Sequence, residues 1–455
     1  MKKLFLPICL LIVLVNGCSS GKTFVTPVQK VTSLPNFPEA TSIPLSSLPP
    51  VSEIPVSSTP VMNIPLPKSQ LRSQCLDVKL GLAGNVTSTG IVILNGQYDP
   101  NNSGTFLLDM TTVKLFQMTK QGERQINHVV SPDKTLLAYK RILFDTDGKV
   151  IQKDFIIANA NGQILKTIPV EKNWSDILGW LDNQHLFIRL AASNLAENAG
   201  EKPIPVLIIN PFNDERKILL PDFPQFLNAP STTLPYWYGW SGVIYDPTLN
   251  IAIYPGFIEG NDEMYTYVLW DMSSKRVIAS LENVFVAYIL QNTPFPMPRW
   301  NPDNSQFVIR GLVPQPDRVI MELYSVSRDG ATKQLTHLAS TAYIFGSNLS
   351  WSPDGRYIAM FLGPVYGAAD QKARVAILDM KSFDVTDYCF SVSYSEEGHY
   401  SEDNAPAAIW SPNSKQFLVQ DWYEKDHSRV ILVDIERGVV AQVAENVEAV
   451  GWMLP

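Results

Sequence analysis

The chain has 455 residues, 45% of them hydrophobic and 10% aromatic, which is enough apolar material for a large core and excludes a wholly disordered polymer. Its 44 Asp and Glu outnumber 36 Lys and Arg, a net charge of −8, so a nucleic-acid partner is not expected.

Taken in chain order, residues 1–17 read as an export signal. Lys2 and Lys3 precede an apolar run from Leu4 to Val15, too short to span a bilayer comfortably, and Gly17 stands before Cys18. The stretch Leu14-Val15-Asn16-Gly17-Cys18-Ser19-Ser20 resembles the lipobox of bacterial lipoproteins, although Asn16 is unusual there. The resemblance implies cleavage before Cys18 and acylation of that residue, with more than one chain giving stable anchoring. An ordinary secretory signal with an incidental Cys18 is the alternative. With Ser at position 19, the family's sorting habit favours the outer membrane if the cell has two. Loss of residues 1–17 removes two Lys and no acid and takes the net charge from −8 to −10.

Residues 18–72 form the next unit, a lipid-anchor Cys followed by ten prolines between Pro27 and Pro67 with Ser, Thr and Val between them. Proline denies both helix and sheet, so this tract is expected to be a disordered, extended tether reaching at most ~150 Å at ~3 Å per residue.

From residue 73 to 455 the chain is expected to be one all-β domain, because short alternating apolar segments are punctuated by Gly, Pro, Asn and Asp and no long amphipathic helix can be found. Trp351-Ser352-Pro353-Asp354-Gly355 is followed by the strand-like Arg356 to Phe361. Related turns start at Ser131, Leu181, Asp246, Asn301 and Ser411, so successive starts are 50, 65, 55, 51 and 59 residues apart. The residue before each turn is Val130, Trp180, Tyr245, Trp300, Trp351 or Trp410, a column assigned to packing between repeats. A second column ends an apolar strand in Asp109, Asn159, Asn210, Asp271, Ser327, Asp379 and Asp434. Seven of these against six aromatic turns leaves the first repeat without an innermost strand. Val447 to Trp452 supplies one, since Val450-Gly451-Trp452 nearly repeats Leu178-Gly179-Trp180. The expectation is a β-propeller of seven four-stranded blades, with six or eight as alternatives, its first blade closed by the C-terminal strand so that no sheet face or edge is left open.

These turns and hairpins resemble the WD40-like (PD40) repeats of TolB-like propellers over about residues 85–455, cleanly at 351–361 and in degraded form at 180–190 and 244–254. In that family the repeats are structural, so the resemblance implies a propeller and no particular activity.

The short turns lie on one face of such a disc. The opposite face receives the longer connections, expected at 191–205, 255–265, 363–372 and 420–428 within blades and at 223–237, 291–298, 342–348 and 393–406 between them. Tyr236, Trp237, Tyr238, Phe257, Tyr366, Trp422 and Tyr423 fall in these connections among acids that include Asp421, and they are the candidate ligand-binding residues. For any single one of these rings the alternative is that it plugs a loop against a blade. No catalytic residue, cofactor or metal site is assigned: His128, His185, His337, His399 and His427 show no metal-ligand spacing, and Gly239-Trp240-Ser241-Gly242 lacks the hydrolase elbow pattern. Cys75 and Cys389 remain after Cys9 leaves with the signal and Cys18 takes lipid, as a disulfide or as two buried thiols. The sequence therefore points to a non-catalytic, lipid-anchored, extracytoplasmic monomer that binds a protein or an envelope polymer. The alternative is a propeller-type polysaccharide lyase or glycosidase using acids with His399 or His427.

Overall fold

A computed structural model describes residues 70–79, 88–99, 102–190, 206–213, 215–219, 244–258, 261–281, 286–287, 299–314, 319–338, 343–363, 373–393, 407–424 and 427–455. All regular elements among them are strands. Two short ones come first, β1 (Leu71–Ser73) and β2 (Asp77–Lys79). The first blade then supplies β3 (Ile91–Asp99), β4 (Asn102–Asp109) and β5 (Lys114–Gln117). The second has β6 (Glu123–Val130), β7 (Leu136–Phe144), β8 (Val150–Asn159) and β9 (Ile164–Pro169), and the third β10 (Trp174–Trp180), β11 (Leu186–Leu190), β12 (Val206–Ile209) and β13 (Arg216–Leu219). The fourth comprises β14 (Ile244–Tyr245), β15 (Ile251–Ile258), β16 (Asn261–Asp271) and β17 (Arg276–Ser280), with β18 (Val286–Ala287) also on β16. The fifth is β19 (Arg299–Trp300), β20 (Gln306–Pro314), β21 (Val319–Ser327) and β22 (Thr332–Gln334), and the sixth β23 (Tyr343–Trp351), β24 (Tyr357–Gly363), β25 (Ala373–Asp379) and β26 (Val385–Val392). The seventh is β27 (Ile409–Trp410), β28 (Gln416–Glu424), β29 (His427–Asp434) and β30 (Val439–Glu445); the chain closes with β31 (Val447–Met453).

Each set of four is an antiparallel sheet in chain order, except that β31 occupies the innermost place in the first blade. It pairs antiparallel with β3, from Ile91 opposite Met453 to Gly96 opposite Val447. The protein is thus the expected ring of seven blades, closed by its C-terminal strand.

Alternation along the strands explains the ring. Successive side chains of a strand point to opposite faces, and in a propeller both faces of a blade are covered by neighbours. On β20, Phe307 and Ile309 pack toward the fourth blade while Val308 packs toward the sixth. On β28, Phe417 and Val419 face the sixth blade and Leu418 faces the first. Seven apolar clusters result among the described residues, one in each gap of the ring. Each fully buried large side chain, such as Phe155 or Trp452, contributes about 1.5–3 kcal/mol of burial.

The aromatic column stitches blades together as the sequence predicts. The indole N–H of Trp180 donates to Val129 O of the preceding blade at 3.1 Å, and that of Trp410 to Ser350 O at 2.9 Å. The turns that follow share one hydrogen-bond pattern. Ser131, Ser352 and Ser411 each donate from Oγ to Oδ1 of Asp133, Asp354 and Asn413 at 2.6, 2.6 and 2.7 Å, and accept the N–H of the residue that opens or precedes the next strand. Where Ser is lost, Asp246 and Asn301 accept that N–H themselves, at 2.8 and 3.1 Å. The last turn residue is left-handed in each case, with φ of 64° at Lys134, 70° at Gly355 and 60° at Ser414. In the second column, Asp109, Asp271, Asp379 and Asp434 accept backbone N–H groups two or three residues on, which is why an acid recurs there.

One feature breaks the sevenfold repetition. β1 adds a parallel strand outside β26, and β2 adds another outside β30, so one short segment straps the outer edges of the sixth and seventh blades. A disulfide joins Cys75, between the two strands, to Cys389 on β26 across 314 residues of sequence. Gln70 extends the strap to the fifth blade, donating to Leu335 O at 3.2 Å and accepting the His337 N–H at 2.9 Å.

Closure is tested at Gly451. A Cβ there would lie 2.3 Å from Cγ2 of Val130 in the second blade and 3.1 Å from Ile93 Cδ1. Gly451→Ala is expected to destabilise the protein by about 1–3 kcal/mol through overpacking, seen as a lower thermal midpoint. An unchanged midpoint would mean that β31 is not seated tightly on the neighbouring blade.

Candidate binding face

The connections between the second and third strands of each blade, and those between blades, lie on the face opposite the repeated turns. Three of the expected long loops are instead strand. β15 and β16 run through 255–265, with Phe257 opposite Tyr265; β28 and β29 run through most of 420–428; β23 covers 343–348. Pro255 and Gly256 read as loop formers in sequence. In the fold Pro255 lies beyond the last described pairing of β15 with β14, so its missing N–H removes no ladder bond on that side.

Of the candidate ligand-binding residues, Tyr236, Trp237, Tyr238 and Tyr366 lie outside the described residues, as does His399. Phe257 lies on β15. Trp422 and Tyr423 lie near the end of β28, where the Trp422 N–H donates to Ser393 O of the sixth blade at 2.9 Å. The Tyr423 hydroxyl donates to Glu445 at 2.5 Å, and the Arg429 guanidinium sits 4.8 Å from the centre of its ring. His427 is exposed, 3.3 Å from Asn446 Oδ1.

Of the residues that hold this face, Asp421 was named from sequence among the acids of the connections, but its partner and the other pairs were not. Asp421 is buried, accepting the Ser393 N–H at 2.6 Å through Oδ1 and pairing with Arg429 through Oδ2 at 2.7 Å. Arg141 with Asp154 in the second blade (2.7 Å) and Arg374 with Asp387 in the sixth repeat the arrangement at the same end of the blades, each acid almost fully buried. The partners sit on different strands, 8, 13 and 13 residues apart in sequence, and the strand register brings them together.

A further cluster lines the inner strands of the second and third blades. Asp176 on β10 accepts hydrogen bonds from Ser175 Oγ at 2.6 Å and Asn127 Nδ2 at 2.8 Å, and pairs with Lys140 at 3.1 Å and with Arg189. Burial raises the pKa of its carboxyl, but the bonds from Ser175, Lys140 and Arg189 outweigh that and hold it at about 2, below the usual 3.8. Nearby, between the first two blades, His128 lies 2.8 Å from Thr105 Oγ1 and stacks on Tyr139, and burial pushes its pKa down to about 4. Glu448 on β31 is pushed up by burial.

Chemically, this is a braced surface. Asp154, Asp176, Asp387 and Asp421 are each engaged by a cation, and among the described residues no group of three His, Cys, Asp or Glu side chains could hold a metal ion.

No protein-family model matches the chain, and no curated protein matches it. Among solved structures it is similar to TolB from Acinetobacter baumannii, at 13% identity with a TM-score of 0.37 over 80% of this chain and 66% of that one, just under two thirds of its length. It is also similar to a putative TolB from Agrobacterium tumefaciens (14%, TM-score 0.32, 78% and 89%) and to the β-propeller domain of the trilobed protease from Pyrococcus furiosus (12%, TM-score 0.41, 71% and 86%). At these identities the likenesses concern the propeller fold and assign no activity.

Two titrations, at His128 and Asp176, have opposite charge but the same sign of linkage. Both His128 and Asp176 bind a proton less readily folded than unfolded, so acid favours unfolding at each. Stability is expected to fall by about 2–3 kcal/mol as pH drops from 6.5 to 4, through His128. It falls by about 1–2 kcal/mol more from 3.8 to 2, through Asp176. In denaturant titrations across pH, His128→Gln should flatten the first step and Asp176→Asn the second; profiles identical to the parent would refute the assignment.

Proposed function

We propose that the protein is a non-catalytic, lipid-anchored, extracytoplasmic propeller that binds a protein or another envelope component through the face opposite its repeated turns. The observation that carries this reading is the engagement of that face's acids. Asp421, an acid at this rim that the enzymatic alternative would draw on, has one oxygen on the Ser393 N–H and the other on Arg429. A glycosidase needs two carboxyl groups free to move protons or attack, set at a fixed separation. His427 rests against Asn446, and its partner in the alternative, His399, lies outside the described residues. Binding asks only for a rigid surface with aromatic anchors, and the charge pairs beneath Trp422 and Tyr423 provide rigidity. The disulfide between Cys75 and Cys389 agrees with an oxidising compartment, as the signal segment requires.

Two measurements test the two halves of the proposal. Mass spectrometry of the mature protein should find an acylated Cys18 at its N-terminus; an unmodified end, or cleavage elsewhere, removes the anchor. Full-length protein solubilised from the envelope should retain its partners in a pull-down, and Trp237→Ala with Trp422→Ala should lose most of them. Equal recovery from parent and variant would remove this face from the function.

A further inference from the structure

The strap creates a cleft. Blades radiate like spokes, so the gap between two of them widens toward the rim. Between the sixth and seventh blades, on the side of the repeated turns, that gap stays open as a cleft of about 470 Å³ with Arg72 and Gln74 of the strap in its wall. Opposite stand Asp354, Arg356 and Tyr357, part of the best-preserved repeat, and Asn413 and Lys415 of the next turn.

Two polar groups of its lining bond to none of the described residues. Tyr388, only 3% exposed, lines the cleft, and its hydroxyl has no hydrogen-bond partner among the described residues. The hydroxyl opens on the cleft, where a bound molecule can supply a partner. Burial raises its pKa, so it stays protonated and can both donate and accept. The Asn413 amide is aligned by Oδ1, which accepts from Ser411 Oγ at 2.7 Å and the Lys415 N–H at 3.0 Å; its Nδ2 donors are uncommitted among the described residues. Tyr357 is fixed between Trp410, 6.1 Å away and nearly parallel, and the Arg356 guanidinium, 4.7 Å from its ring centre. Ile377 and Ile435 contribute apolar surface.

Charge decides the ligand class. Arg356 pairs with Asp379 at 3.1 Å, Arg72 with Asp384 at 3.1 Å, and Lys415 with Glu436 at 2.9 Å. Each cation in the lining is already matched by a carboxylate, with Asp354 the one acid in excess, so the cleft selects neither an anion nor a cation. What it offers is many donors and acceptors side by side, with apolar patches between them. That is the complement of a neutral polyhydroxylated molecule, whose ring faces are apolar and whose edges are hydroxyls. The volume is in the usual range for a small-molecule site.

We propose that the strapped cleft between the sixth and seventh blades binds a neutral saccharide, with Tyr388 and Asn413 bonding ring hydroxyls. This site is independent of the opposite face and of any partner bound there.

The test uses full-length protein in a polyoxyethylene detergent, which carries no sugar, titrated calorimetrically with maltose, cellobiose and N,N′-diacetylchitobiose. At least one should bind, Tyr388→Phe and Asn413→Ala should each weaken it roughly tenfold, and Trp422→Ala should leave it unchanged. Tyr388→Phe keeps the ring that fills the gap, and its thermal midpoint reports whether packing is intact; Asn413→Ala, at the cleft wall, gives a second reading. The proposal is overturned if none of the three sugars binds, if both variants bind as tightly as the parent, or if inorganic phosphate or a charged peptide displaces the sugar from the cleft.

Discussion

A propeller is stable only if its ring closes, and here closure rests on one antiparallel pairing between strands from the two ends of the domain. β31 lies on β3 with Trp452 opposite Val92 and Val447 opposite Gly96. Its side chains serve both gaps that flank the first blade: Val447 and Trp452 pack toward the seventh blade, and Met453 packs toward the second. Without that strand, two of the seven apolar interfaces would be incomplete and the inner edge of β3 would be open to pairing with another chain. The contact spans almost the whole sequence, so it is costly in loop entropy and can form only when the blades between have assembled.

The strap is a second long-range tie, at the rim and not at the axis. It covers the outer edges of two neighbouring blades, and its disulfide removes conformational freedom from the unfolded chain, a stabilisation typically of about 2–4 kcal/mol. It also makes two blades unlike the other five, and a binding cleft appears where the repetition is broken.

The charge pairs near the opposite face have a different role. Buried ion pairs give little net stability, because desolvation offsets most of their attraction, but losing one partner leaves a buried charge and costs several kcal/mol. Pairs such as Asp154 with Arg141 and Asp421 with Arg429 therefore fix strand ends more than they strengthen the fold. They hold the surface from which Trp422 and Tyr423 emerge, which suits recognition by a preformed face.

The sequence by itself determined the turn chemistry and the manner of closure and favoured seven blades over six or eight. These follow from local rules that recur around the ring: alternation of side chains, a left-handed turn residue, an acid or amide capping its own hairpin, and an aromatic before most turns. Even the turns at Asp246 and Asn301, which lack the serine, obeyed them, since an Asx side chain can do its work. Loop lengths were less legible: Pro255 and Gly256 signalled a break where β15 continues, because a proline disrupts a ladder only on a side that has a partner. Of the binding residues expected from sequence, Trp422, Tyr423 and Phe257 lie on strands near the expected face, while the acids beneath it proved to be paired. Those pairs, the strap and the cleft at Tyr388 were decided by tertiary structure alone. Each joins residues from different strands or opposite ends of the chain, Cys75 and Cys389 being 314 residues apart, and no local pattern encodes which distant groups the closed ring will bring together.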